Sequence, residues 1–317
     1  MEQRIETMNT QSETVDPAIR ERVLETLHTL GEDIISYEGP HAGPTIFIVG
    51  GTHGNEILGV LLLGLLQRNL ENGQLPLKAG KIKLALGNPK AIEVNERVAK
   101  GGDDLNRMFT PEVLNSEDNQ GFEARRARNI AREIRNSDIV IDLHSTNRPS
   151  PAFVCAQDTD LHQSVFKWLP RKAVVFDPNR IVSGGGGSID EIADDYGKVG
   201  ICYESGQATD TKNLMPVFRA LRGLMIENSM VEGELPEPPP IGADYTVVES
   251  IAYDPNNAFV FAEGKEQGFA PVTKGELIGH RGDEAVYSSV DGVILFPKRP
   301  EHQRMAGLVC YVASRRK

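Results

Sequence analysis

The sequence predicts an α/β fold: a mixed, largely parallel sheet flanked by helices, plus a small C-terminal all-β domain. Three observations predict it. Near-continuous apolar runs such as TIFIVGG (45–51), DIVIDLHS (138–145) and VGICYES (199–205) read as strands covered on both faces. These runs alternate with segments of helical spacing, the pattern of a parallel sheet with crossover helices. From about residue 245 the chain changes to short runs bounded by glycine and proline, as in a small β domain.

Each element has its own justification. PAIRERVLETLHTL (17–30) has helical spacing, with Pro17 suited to a first turn. After strand TIFIVGG, EILGVLLLGLLQRNL (56–70) reads as a buried helix and KIKLALGN (81–88) as a second strand. FEARRARNIAREIRNS (122–137) has the charge pattern of an amphipathic helix with an exposed face. DIVIDLHS, KAVVFD (172–177) and VGICYES continue the strands, and NLMPVFRALRGLMIENSM (213–230) is a long helix. VEGELPEPPPIGAD (231–244) holds four prolines and four acids, so it can form neither a helix nor a central strand. It reads as a linker between a domain at 1–230, with an N-terminal extension and helix at 1–43, and a β domain at 245–317. The β domain would use YTVVESIAY, AFVFAE, LIGH, EAVYSS, GVILFPK and LVCYVA.

The 317 residues are 39% hydrophobic and 25% charged, enough to bury a real core. A net charge of −11 argues against nucleic acid or an anionic membrane as main partner. Cys155, Cys202 and Cys310 are far apart, with no CxxC spacing, so neither a disulfide framework nor a cysteine-based zinc site is expected. The opening MEQRIETMNTQSETVD lacks a secretory pattern. The longest apolar run, ILGVLLLGLL, has ten residues and is too short to span a bilayer. A cytoplasmic location is the expectation. The loop SGGGGS (183–188) is flexible by composition and lacks the lysine and spacing of a phosphate-binding loop.

In open parallel sheets, ligands bind beyond the carboxyl ends of the strands. Three polar clusters fall there: Gly51-Thr52-His53-Gly54-Asn55-Glu56, Asp142-Leu143-His144-Ser145 and Tyr203-Glu204-Ser205-Gly206. His53, Glu56 and His144 make a His₂Glu set, the ligand set of catalytic zinc sites with one position left to water. A further carboxylate could serve as general base. Neither H-x-x-E nor DLH identifies a site alone, because a single histidine is more often a satisfied core or surface residue. Three clusters at three strand ends, in this order, are far more specific.

GTHGNE, DLNRMF, DLHS and YESG, in that order, resemble the succinylglutamate desuccinylase/aspartoacylase family, relatives of the zinc carboxypeptidases. The resemblance covers roughly residues 44–225. It implies a zinc carboxypeptidase-like fold and one zinc per chain, held by His53, Glu56 and His144. It implies Glu204 as general base and acid, and Asn106 and Arg107 as the grip on a substrate carboxylate. In the family an arginine upstream of DLNR polarises the scissile carbonyl; Arg97 is the nearest candidate, although Lys100-Gly101-Gly102 lengthens the interval. The C-terminal β domain is similar to one that crowds the active-site mouth in this family.

The implied activity is zinc-dependent hydrolysis of the amide bond in a small N-acylated amino acid or related amine. Zinc would make water a nucleophile near neutral pH, and Glu204 would carry the proton to the leaving amine. An arginine fork suits a carboxylate better than lysine does. Other readings stay open for single residues: an ion pair of Arg107 with Asp103 or Asp104, a surface position for Arg97, a structural role for Glu204. Arg148 could contact the variable end of a substrate or anchor Pro149 to Pro151. Asp142, two residues before His144, shares its face and could orient an active-site group. The alternatives for the whole chain are a metallocarboxypeptidase acting on short peptides and a non-catalytic metal-binding homologue. The motifs specify neither the acyl group nor whether the chain forms a homo-oligomer.

Overall fold

The computed structural model describes residues 15–116 and 118–316, so residues 1–14 of the extension assigned to 1–43 lie outside the described residues. The first strands are β1 (Ile34–Glu38), β2 (His41–Gly50), β3 (Ala79–Leu86) and β4 (Ile139–Thr146). Next come β5 (Phe153–Ala156), β6 (Ala173–Phe176), β7 (Val199–Gln207) and β8 (Ala243–Ala252). The C-terminal part adds β9 (Phe259–Phe261), β10 (Pro271–Val272), β11 (Leu277–Arg281), β12 (Glu284–Tyr287), β13 (Gly292–Leu295) and β14 (Leu308–Arg315). One 11-stranded sheet has the order β1-β3-β2-β4-β7-β5-β6-β8-β14-β13-β10, and β12-β11-β9 form a second, smaller sheet.

The centre of the large sheet is parallel: β3, β2, β4 and β7 all run the same way. Alternation along these strands serves two covered faces. Ile46, Ile48, Ile141 and Leu143 pack with Leu62 and Leu63 of helix Ile57–Glu71 and Leu221 and Leu224 of helix Leu214–Glu227. Phe47, Val49 and Val140 point the other way, onto Ala127, Ile130 and Ile134 of helix Phe122–Arg135 and Ile192 of helix Ile189–Asp195. Burial on both sides explains why these strands read as unbroken apolar runs.

The sheet reverses at β7, which pairs antiparallel with β5. Strands β1, β5 and β10 were not legible as strands. β1 carries the part-exposed segment IISYE, and β5 and β10 have only four and two residues. Residues 234–242, inside the expected linker, have no helix or strand. The C-terminal strands form as expected, with the short helix Pro300–Ala306 among them. Four of them extend the main sheet, because β8 pairs parallel with β6 from Ala173↔Ala243 onward. This continuity brings the C-terminal segment beside the carboxyl ends of the central strands.

Leu62 is fully buried between the sheet and its helices. Leu62→Ala is expected to leave a cavity and lower unfolding free energy by about 2–5 kcal/mol without changing the fold. Urea denaturation followed by circular dichroism checks this; an unchanged midpoint would contradict the packing described.

Candidate active site

His53 and Glu56 lie in the turn between β2 and helix Ile57–Glu71, with Glu56 at the helix N-cap. A carboxylate at that end is favoured by the helix dipole. The turn is tight. A Cβ on Gly54 would come within 2.0 Å of the Ala91 carbonyl carbon, so only glycine lets the backbone pass there. His144 sits in β4 and Glu204 in β7, and the two are register partners on adjacent strands. All four residues are buried, as is Asp142.

The contacts form one network. His53 Nδ1 is 2.7 Å from Glu56 Oε1, and His144 Nδ1 is 2.9 Å from Glu56 Oε2. The Ser145 backbone N–H donates to Glu56 Oε2 at 3.0 Å. Each imidazole turns its other nitrogen to a second carboxylate: His144 Nε2 lies 2.7 Å from Asp142 Oδ2, and His53 Nε2 lies 3.2 Å from Asp104 Oδ1. Thr52 Oγ1 donates to Asp142 Oδ1 at 2.8 Å. Arg97 donates to Asp104 Oδ2 at 2.9 Å, and its Nη1 is 3.8 Å from Glu56 Oε1.

This donor set fits a divalent cation. His53, Glu56 and His144 offer ligand atoms that all lie within 4.8 Å of one another. An Nε2–H donated to a carboxylate leaves the Nδ1 lone pair as the metal ligand, and both imidazoles have that arrangement. With both nitrogens facing carboxylate oxygens, each ring needs either a second proton or a cation at Nδ1.

Electrostatics separate the carboxylates. Burial pushes Glu56 up, but the imidazoles of His53 and His144 outweigh it and hold its carboxyl well below the usual range. Asp104 is likewise pushed up by burial and brought down further by His53 and Arg97. Burial lowers His144, yet Asp142 and Glu56 raise it well above the ordinary imidazole value. Glu204 behaves oppositely: burial pushes it up to about 8, against the opposing pull of His144. Its Oε2 is buried and has no hydrogen-bond partner. Phe153, the register partner of Glu204, packs edge-on to Phe269 and Phe296 at 5.0 and 5.4 Å, which keeps that corner apolar.

A cavity joins the expected site residues. Arg97, Asn106, Arg107, Arg148 and Glu204 line it together with the two histidines and Glu56. Asn106 Oδ1 accepts from the Ile189 backbone N–H at 3.3 Å, and Arg107 donates to the Asn106 and Val182 carbonyls at 2.6 and 3.5 Å. The expected alternative, an Arg107–Asp104 ion pair, is not what Asp104 does: its oxygens face His53 and Arg97 instead. The glycine loop forms part of the wall through Val182, Ser183 and Ser188. Gly187, at φ 111°, passes the Arg107 backbone so closely that a Cβ there would lie 3.3 Å from it.

Sequence reasoning missed three contributors. Asp104 backs His53, whereas the sequence suggested it only as an ion-pair partner for Arg107. Asp190, pushed up to about 7 by burial, lines the cavity from the start of helix Ile189–Asp195. Lys298 enters from the C-terminal segment, and burial first, then Arg97, pull its ammonium down to about 8. No local pattern marks these residues.

Residues 42–222 match the model of the succinylglutamate desuccinylase/aspartoacylase catalytic domain, and the chain belongs to that family. A succinylglutamate desuccinylase of Burkholderia thailandensis is 26% identical over 278 residues, covering 80% of this chain and 76% of that protein. A probable aspartoacylase of Nostoc sp. is 42% identical over 106 residues, 32% of this chain and only 35% of that relative's length. The succinylglutamate desuccinylase structure of Vibrio cholerae superposes with a TM-score of 0.71 at 18% identity, covering 89% and 85% of the two chains. Murine aminoacylase 3 superposes at 0.65 with 20% identity, covering 88% of this chain and 97% of its own. These last two show the shared fold. Among the described residues no helix is long and apolar enough to cross a membrane.

The raised Glu204 value sets a pH dependence in protein stripped of metal by a chelator. A carboxyl raised on folding stabilises the folded state below its unfolded value, near about 4.3, and that stability is lost as pH rises to about 8. Glu204→Gln has no such loss. Its stability relative to the metal-free wild type is expected to climb between those limits, measured by urea denaturation across pH; a constant difference would contradict the assignment.

Proposed function

We propose that this chain is a zinc-dependent deacylase, hydrolysing the amide bond of a small N-acylated amino acid or related amine. The observation that carries the reading is the His53–Glu56–His144 donor set beside Glu204, a buried carboxylate with an unpartnered oxygen. Zinc bound there supplies Lewis-acid polarisation and lowers the pKa of water to about 7.

The chain's own residues would do the rest. Asp142 and Asp104 hold the imidazoles of His144 and His53 with Nδ1 free to ligate. Glu204 takes a proton from the attacking water and returns it to the leaving amine. Burial raises its carboxyl above the ordinary carboxylate range, which favours its holding a proton between the two steps. Arg97, steered by Asp104 to within 3.8 Å of Glu56, faces the position where negative charge grows on the carbonyl oxygen. Asn106 and Arg107 hold a substrate carboxylate, with Asn106 itself tied to helix Ile189–Asp195. The proposed C-terminal unit, residues 245–317, closes one wall with Phe269, Phe296 and Lys298. That wall favours a small substrate over a peptide chain.

Two substitutions test the reading. Glu204→Gln is expected to reduce turnover of N-acyl amino acids by about 10²–10⁴-fold while zinc content stays at the wild-type level. Full activity in that variant would exclude Glu204 as the proton carrier. Asp142→Asn is expected to weaken zinc binding by about 10–100-fold, read by competition with a chromogenic chelator. Unchanged affinity would show that Asp142 does not orient a ligand.

A further inference from the structure

Cys155 and Cys202 are nucleophilic groups of the cavity that the hydrolysis does not use. They are register partners across the antiparallel strands β5 and β7, and the neighbouring rung on the same face is Phe153↔Glu204. Cys155, Cys202, Phe153 and Glu204 all line the cavity. Val154 and Tyr203, which lie between them in the chain, turn the other way into the core. The thiol pair therefore forms part of the cavity floor, one rung from the proposed proton carrier. The third thiol, Cys310, is fully buried in the core of the C-terminal segment.

Strand pairing holds the two thiols within bonding range. Residues directly opposite in an antiparallel pair have Cα atoms about 4.5–5.5 Å apart, inside the roughly 4.4–6.8 Å that a disulfide spans. Both cysteines are free, and Cys202 donates a hydrogen bond to Cys155. That hydrogen bond favours a thiolate at Cys155, but burial and the carboxylates of Glu204, Asp190 and Asp177 outweigh it and raise the thiol. The same hydrogen bond, then burial, raise Cys202 further. Thiolates are scarce in such a place, so the pair reacts slowly, and Cys155 is the better placed of the two to attack.

A bond here would disturb its surroundings. Opposite Cβ atoms stand about 4.5–5.5 Å apart, whereas a disulfide holds them at about 3.5–4.5 Å. Closing it draws β5 and β7 together by on the order of 1 Å at this rung. Glu204 rides on β7 at the next rung, and a misplacement of about 1 Å in an active site can cost about 10²-fold in rate.

We propose that Cys155 and Cys202 form a reversible disulfide in the cavity floor, made by exchange with a low-molecular-weight disulfide, and that this bond lowers turnover. The effect on turnover rests on the deacylase reading; the bond itself does not. Cys155 Sγ loses its proton to water and attacks one sulfur of the small disulfide. That S–S bond breaks, a mixed disulfide forms, and one thiolate leaves. Cys202 Sγ loses its proton in turn and attacks the Cys155 sulfur, expelling the second thiolate. The protein thiols give up two electrons and two protons, and the small disulfide takes them up as two thiols. Excess small thiol runs the exchange backwards.

The test exposes the zinc-loaded protein to 2-hydroxyethyl disulfide, which is neutral, so the charges lining the cavity neither attract nor repel it. Remaining thiols are alkylated in denaturant and counted by mass spectrometry. The wild type is expected to fall from three free thiols to one, with Cys155 linked to Cys202 in the peptide map. Turnover of an N-acyl amino acid is expected to drop at least about tenfold. Excess 2-mercaptoethanol should restore both thiols and turnover. The double variant Cys155→Ser/Cys202→Ser should keep its own untreated turnover through the same exposure. Three thiols remaining, mixed disulfides without the link, or a linked protein of unchanged turnover would each overturn the proposal. So would an equal loss of turnover in the double variant. Failure of the deacylase reading shows separately, as an absence of turnover before any oxidant is added.

Discussion

The Glu56 carboxylate, shared between the imidazoles of His53 and His144, is the constraint on which the site depends. Three buried ionisable groups, two at a strand–helix joint and one on the neighbouring strand, cost several kcal/mol unless their charges are compensated. Compensation comes in layers. Glu56 faces both Nδ1 atoms, Asp142 and Asp104 face the Nε2 atoms, and Arg97 and Thr52 satisfy the outer carboxylates. Each layer comes from a different part of the chain, so the cluster ties together β2, β4, the DLNR segment and the helix that follows β2.

The same network explains why neighbouring carboxyl groups differ. Glu56 is surrounded by imidazoles and stays ionised despite burial. Glu204 stands one strand away, against an aromatic wall, and burial dominates it. Two carboxyl groups in one cavity, pushed in opposite directions by their surroundings, are suited to two tasks: holding a cation and moving a proton. The backbone sets this contrast, because the His144↔Glu204 register places Glu204 beside the cluster but outside its hydrogen bonds.

Much of this was legible in the sequence, for a physical reason. Doubly covered strands must be apolar throughout, so the polar residues that interrupt them, Asp142, His144 and Glu204, stand out, as does His53 just beyond the end of β2. Helices 57–71 and 214–227 showed their faces in the same way. What was not legible depends on contacts made at a distance. Asp104 becomes a partner of His53 only because the DLNR turn folds back over the site. The four-residue β5 carries Phe153 beside Glu204 from within a proline-rich stretch that shows no period. Cys155 and Cys202, 47 positions apart in the chain, face each other as register partners across β5 and β7. Lys298 reaches the cavity through the continuity of β6 with β8, which no local pattern encodes.

The most direct measurement is the metal content of the purified protein, by atomic emission, for wild type beside His144→Ala. The account predicts about one zinc per wild-type chain and none in the variant, with both proteins folded by circular dichroism. A folded wild type that holds no zinc after dialysis against it would contradict the central claim. The carboxylate–imidazole cluster would then be a structural network, and the shared fold would carry no hydrolytic chemistry of this kind.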